Sequence, residues 1–173
     1  MMLEGDGVNL VLLEKDRLLN LKYWLNDPRC TILRRSFTQV TIAELEKIYA
    51  RRGNEEWWLI ESKRGSLVGF ALNRPQNDYQ VIEYLLAPDD GEEVQGIEAV
   101  KILVEYLFLN YSIVRIQGEV LAEDSCGVSV FESNGFVREG VKRRSVFHRG
   151  EWKDSVIYGL LREDWARVRF TNF

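Results

Sequence analysis

The chain has 173 residues, which is the size of one domain with one sizeable core. Apolar residues make up 46% and charged residues 29%, a soluble globular balance that excludes a disordered chain. Lys and Arg total 23 against 27 Asp and Glu, and the resulting net charge of −4 argues against a dedicated nucleic-acid binder.

A single histidine, His148, excludes any metal centre built on two histidines, and Cys30 and Cys126 are too few for a disulfide framework. The N-terminal MMLEGDGVNL lacks a basic segment followed by an apolar one. The most apolar stretch, residues 102–109, is broken by Glu105 and is far short of the roughly 20 residues that span a bilayer. The expectation is a cytoplasmic protein with no membrane or nucleic-acid partner.

Gly7 to Leu13 reads as a first strand. Asp16 to Asp27 places Leu18, Leu21, Trp24 and Leu25 on one helical stripe, and Pro28 ends it. Thr41-Ile-Ala-Glu44 is a capping box that opens a short helix, stopped by Gly53. Trp57 to Lys63 and Leu67 to Asn73 are two strands joined at Arg64-Gly65-Ser66, where Gly65 supplies a positive φ. In a strand, Trp57 and Trp58 point to opposite faces, so one of them at most is expected in the core.

Tyr79 to Leu86 is a third apolar run, ended by Pro88. A polar loop over residues 89–95 leads to the longest helix, Gly96 to Leu109, whose only polar stripe is Glu98, Lys101 and Glu105. Val114, Ile116 and Val120 alternate with Arg115, Gln117 and Glu119, the pattern of a half-buried strand. Ser125 to Ser133 is a short helix with Asn134-Gly135 as its stop. Val137 to His148 and Trp152 to Leu161 are two strands around Arg149-Gly150. This order predicts one α/β (α+β) domain over residues 1–173, with a mixed, mostly antiparallel central sheet flanked by helices.

Several stretches in this order carry a family resemblance: Trp24-Leu25-Asn26-Asp27, Leu86-Ala87-Pro88, Gly96-Ile97-Glu98-Ala99, Tyr106-Leu107-Phe108, Asn134-Gly135-Phe136 and Glu139-Gly140. The tail adds Arg149 to Asp154, Tyr158 and Leu160 to Trp165. From about residue 8 to 165 the chain resembles the GNAT superfamily, the GCN5-related N-acetyltransferases, and most nearly the ribosomal-protein-alanine N-acetyltransferase type. The resemblance implies an acetyl-CoA-dependent transfer of an acetyl group to a primary amine, on a small molecule or a protein N-terminus. It also implies a cofactor cleft between two splayed central strands, those over residues 79–86 and 113–121. Leu85, Leu86 and Ala87 would then line the pantetheine. Gly91, Glu92, Glu93, Val94, Gln95, Gly96 and Ile97 would form the pyrophosphate loop at a helix N-terminus, where unpaired N–H groups favour an anion. Many relatives pair, so a homodimer is the expected state of association.

The sequence departs from that pattern at the chemistry. Where the family loop has an Arg or Gln and then two glycines, this chain has Gly91, Val94 and Gly96, with four carboxylates over residues 89–93. Glu92 and Glu93 either favour the helix start as anions near its dipole or occupy the anion site themselves. Asp124 and Gly127 stand where the family has Asn and often Ser. Phe131 stands where some members have a tyrosine that reprotonates the thiolate. Glu83 is a candidate general base, with a solvated strand carboxylate as the plain alternative. Ser125 is a spare donor near the thiol position. His148 reads as a surface residue beside a turn. Lys142-Arg143-Arg144 reads as edge charge or as recognition of an acidic partner. The alternative to the enzyme is a GNAT-fold binding or regulatory protein with a degenerate acetyl-CoA loop.

Overall fold

The computed structural model describes residues 1–30, 39–148 and 150–171. An eight-stranded sheet carries the fold, in the order β1-β2-β3-β4-β5-β6-β8-β7. Its strands are β1 (Met2–Glu4), β2 (Val8–Leu12), β3 (Glu56–Ser62), β4 (Leu67–Pro75), β5 (Tyr79–Leu86), β6 (Arg115–Leu121), β7 (Val137–His148) and β8 (Glu151–Leu161). Every neighbouring pair is antiparallel except β5 and β6, which run parallel. The helices are α1 (Leu18–Asn26), α2 (Ile42–Ala50), α3 (Glu93–Asn110), α4 (Ser125–Ser133) and α5 (Arg162–Thr171). Among the described residues no helix is long and apolar enough to cross a membrane.

The local signals act as their chemistry dictates. The Glu44 N–H donates to Thr41 Oγ1 and the Thr41 N–H donates to Glu44 Oε2, closing both halves of the box that starts α2. Gly65 turns the β3–β4 hairpin at φ 83°, and Gly135 follows α4 at φ 78°. The longest helix starts three residues before the expected Gly96. Gln95 Oε1 accepts the Glu92 N–H at 2.8 Å, so the chain is capped at Glu92 and the loop before it is shorter. A three-residue edge strand, β1, and the C-terminal α5 are additions to the sequence reading.

Both faces of the sheet are covered, by different helices. Trp58, Ile82, Ile116 and Val120 pack with α3 and α4 on one face. Trp57, Leu59, Phe70 and Leu85 pack with α1 and α2 on the other. The expectation that at most one of the two tryptophans is core is therefore wrong: Trp57 is 2% and Trp58 0% exposed. They do point oppositely, but each meets a hydrophobic layer. His148 also departs from its reading, since it shares the inward alternation of Val146 and is buried. Lys142 donates to Glu119 at 2.6 Å, and β7 bulges between Lys142 and Val146, with Arg144 at φ 47°.

Candidate active site

The site begins as a gap between β5 and β6. They are joined only at their beginnings, with Tyr79 opposite Arg115, Gln80 opposite Ile116 and Val81 opposite Gln117. Beyond that point β5 stays paired to β4 as far as Leu86, and β6 stays paired to β8 as far as Leu121. Each strand is held on its outer side while the inner sides diverge.

An aromatic wedge accounts for the divergence. The Phe131 ring from α4 lies against the bare α-carbon of Gly118 on β6, where any Cβ would overlap it. The same ring stacks on Tyr158 of β8 at 5.6 Å and 5° and meets Tyr84 of β5 at 6.0 Å. One ring thus touches both sides of the opening. The split also exposes backbone. The Ala87 N–H donates to the Val68 carbonyl, so by alternation the polar groups of Ile82, Tyr84 and Leu86 face away from β4 and toward the gap.

Two cavities meet there. The cleft, about 240 Å³, is lined by β5 residues Glu83 to Leu86, then Ala87, Pro88 and Gly91, with Glu93, Asp124, Cys126 and Phe131 opposite. The second, about 570 Å³, lies on the α1–α2 face between Trp57, Leu72, Val81 and Gln117. Glu83 and Glu119 line both. Glu83 accepts from Arg74 Nη1 at 3.1 Å. Glu119 accepts from Lys142 and from the buried Ser155 hydroxyl.

The loop at the cleft mouth is less acidic in effect than in sequence. Arg29 holds Asp89 through both oxygens, at 2.7 and 3.1 Å, and also holds Asp27 at 2.7 Å. That guanidinium keeps both carboxyls below the ordinary aspartate range. Glu92 is exposed and Val94 points to solvent. Glu93 is exposed as well, but of the four loop acids it alone lines the cleft, where it accepts from Ser129 Oγ. Among the described residues the Glu93 and Val94 N–H groups have no acceptor, as expected at a helix start.

Gly91 is fixed by packing. A Cβ there would come within 2.6 Å of the Val68 carbonyl oxygen and 2.7 Å of the Ala87 nitrogen. Gly96 lets α3 approach Leu86 and Val130 closely, at 3.2 Å from an added Cβ. Asp124 and Gly127 are likewise one unit, since Asp124 Oδ1 accepts the Gly127 N–H at 2.9 Å and caps α4.

Of the residues singled out from sequence, Glu83, Leu85, Leu86, Ala87, Gly91, Glu93, Asp124 and Phe131 line the cleft. Glu92, Val94, Gln95, Gly96 and Ile97 lie outside its lining, as does Ser125, the exposed first residue of α4. Residues 31–38, between Asp27 and Thr41, and residue 149, in the expected turn between the last two strands, lie outside the described residues.

Three cleft residues were missed in the sequence. Glu119 sits in the alternating pattern of its strand, where it reads as solvated. Arg29 has no motif. Tyr84 follows Glu83 without any signal of its own. Burial and the nearby Cys126, Asp124 and Glu93 push the Tyr84 phenol well above the ordinary tyrosine range. Burial also raises the Cys126 thiol and takes Cys30 to about 12, so neither is a thiolate nucleophile at neutral pH.

The family described as acetyltransferase (GNAT) domain matches residues 10–157. A curated relative, the probable N-acetyltransferase YjcK of Bacillus subtilis (strain 168), is 30% identical over 102 residues. That match covers 58% of this chain and about half, 55%, of the relative. The crystal structure of spermidine N-acetyltransferase from Vibrio cholerae, in complex with CoA and spermine, superposes with a TM-score of 0.83 at 20% identity, covering 94% of this chain and 99% of that one. An acetyltransferase (GNAT family) from Bacillus anthracis superposes at 0.76 with 17% identity, covering 94% and 99%. At these identities the structures show a common fold.

Proposed function

The chain belongs to the GNAT acetyltransferase family, and from that premise we propose that it transfers an acetyl group from acetyl-CoA to a primary amine. The observation that carries this reading is the split between β5 and β6, which joins two cavities through the sheet. One cavity suits the donor and the other the acceptor, and the reacting atoms would meet beside Glu83 and Glu119.

The residues present fit the donor. The gap-facing backbone of Tyr84 and Leu86 offers an open ladder for the amides of a pantetheine arm. The free Glu93 and Val94 amides at the α3 N-terminus suit a pyrophosphate. When bound, acetyl-CoA supplies an acetyl thioester, which a neutral amine attacks directly. The protein's part is then positioning, which supplies much of the rate in such a transfer. Glu83 and Glu119 present carboxylate oxygens to the amine and accept hydrogen bonds from it. Tyr84 holds a proton on its phenolic oxygen at the α4 side of the cleft, where Phe131 has none to offer.

The binding-only alternative loses most of its footing in this arrangement. Of the four loop acids, Asp89 is paired with Arg29, which it shares with Asp27, and Asp90 and Glu92 are exposed outside the cleft lining. Only Glu93 remains as a competing anion. Calorimetric titration with acetyl-CoA, followed by a thiol-release assay with simple amines, tests the proposal. Saturable binding with amine-dependent thiol release is expected. Absence of both would overturn it.

A further inference from the structure

The acceptor-side cavity has an uneven charge balance. Three carboxylates line it, Glu55, Glu83 and Glu119, and each is already engaged by a cation. Arg74 holds Glu55 at 2.6 Å and Glu83 at 3.1 Å, and Lys142 holds Glu119 at 2.6 Å. Two further arginines, Arg51 and Arg52, line the same cavity. Among the described residues neither has a carboxylate partner. Arg52 is not loose. Its guanidinium lies 3.8 Å from the centre of the Tyr49 ring, and Nη1 donates to the Tyr49 carbonyl at 2.8 Å. Arg51 sits at the C-terminal cap of α2.

The consequence for an incoming amine is direct. A polycation can place one charge toward the open faces of Glu83 and Glu119, but it brings the rest against Arg51 and Arg52, which lack a carboxylate partner among the described residues. An amine that also carries a carboxylate places its cation toward Glu83 and Glu119. Its anion is then matched by two arginine forks, the geometry that binds carboxylates best. Resting on the acetyl-transfer reading above, we infer that the acceptor is a carboxylate-bearing amine and that Arg51 and Arg52 form the subsite that reads the carboxylate. A free amino acid and the N-terminus of a peptide that begins with an acidic residue share this chemistry.

The test is a matched panel of acceptors in the thiol-release assay: pentylamine, spermidine, the ω-amino acids from glycine to 6-aminohexanoate, free aspartate, and an Asp-Ala-Ala peptide amide. At least one carboxylate-bearing amine is expected to exceed pentylamine and spermidine in kcat/KM by about ten- to a hundredfold, the scale of a charge-assisted contact. Aspartate against the peptide separates the two sources. The Arg51→Gln/Arg52→Gln variant should raise KM for the favoured acceptor and bring its ratio to pentylamine near one. The Arg51→Lys/Arg52→Lys variant should keep part of that ratio. Preference for spermidine, or a ratio unchanged in the Gln variant, would overturn the inference while leaving acetyl transfer intact. Thiol release with no amine at all would instead remove the acetyl-transfer reading.

Discussion

The strands β5 and β6 have two ends that differ in what their polar groups are asked to do. At the closed end, the buried Asn73 of β4 accepts from Trp58 Nε1 at 3.0 Å and donates to Glu56 at 3.0 Å and to Gln80 of β5 at 3.4 Å. Tyr106 of α3 completes the set by donating to Glu56 at 2.8 Å. At the open end, Glu83, Glu119 and Glu93 are also partnered, but from one side, and each keeps a face toward a cavity. A satisfied network with no free face makes framework. A network satisfied on one flank only makes a site, because its second set of lone pairs is left for a ligand.

The sharpest way to break the contrast is to remove the wedge. Phe131→Ala should cost about 3–5 kcal/mol, the usual range for a buried aromatic, and should lower acetyl-CoA affinity with it; chemical denaturation and calorimetry read both. Gly118→Ala should cost about 1–3 kcal/mol by overlapping the same ring. Combined with Phe131→Leu it should cost less than the sum of the two, because the smaller side chain gives the new methyl room.

At the closed end, Asn73→Leu should cost about 1–3 kcal/mol by stranding the Trp58 and Glu56 groups. It should leave acetyl-CoA affinity unchanged, and a change in affinity would show that the two ends are coupled. At the open end, Tyr84→Phe should lower kcat about tenfold with little effect on KM. Both parameters holding steady would assign the phenol to packing.

The loop supplies the smaller effects. Glu93→Gln should tighten acetyl-CoA binding several-fold, most at low salt, whereas Glu92→Gln should do nothing. Equal responses would mean that Glu93 does not face the bound phosphates. Smallest of all is the Asp27–Arg29–Asp89 clasp. Both carboxyls titrate lower in the folded protein, so their contribution is complete above the ordinary aspartate value of about 3.9 and fades as pH falls through the lowered values. The difference in thermal stability between the parent and Arg29→Gln should therefore be flat from pH 7 to about 5 and close only in stronger acid.

Much of this architecture is legible in the sequence because it is local. Thr41 and Glu44, Gly65, and Asn134-Gly135 each specify their turn or cap through neighbours a few residues away. The alternation over residues 114–120 likewise placed its strand to within a residue. What stayed hidden is set by contacts across the chain. The gap depends on Phe131 meeting Gly118 and Tyr158, and no periodicity displays that. Glu119 reads as solvated because alternation reports which face a residue is on, and here that face is a cavity wall. Trp57 was misjudged for a related reason, since a strand pattern does not show that helices cover both sides.

The strand order carries a consequence for how the chain is made. β8 lies between β6 and β7, so a strand made after both of them is an interior one. Until residues 151–161 emerge, β7 has no partner, and β6 is tied to the rest of the sheet by three residue pairs with β5. Arg162 then locks the closure, donating to the carbonyls of Phe108, Tyr111 and Ile113 around the end of α3. A nascent chain halted before residue 151 would expose the open edge of β6, a hydrogen-bonding template for its neighbours on the same message. A chain truncated before residue 151 is therefore expected to associate through that edge, which light scattering would read.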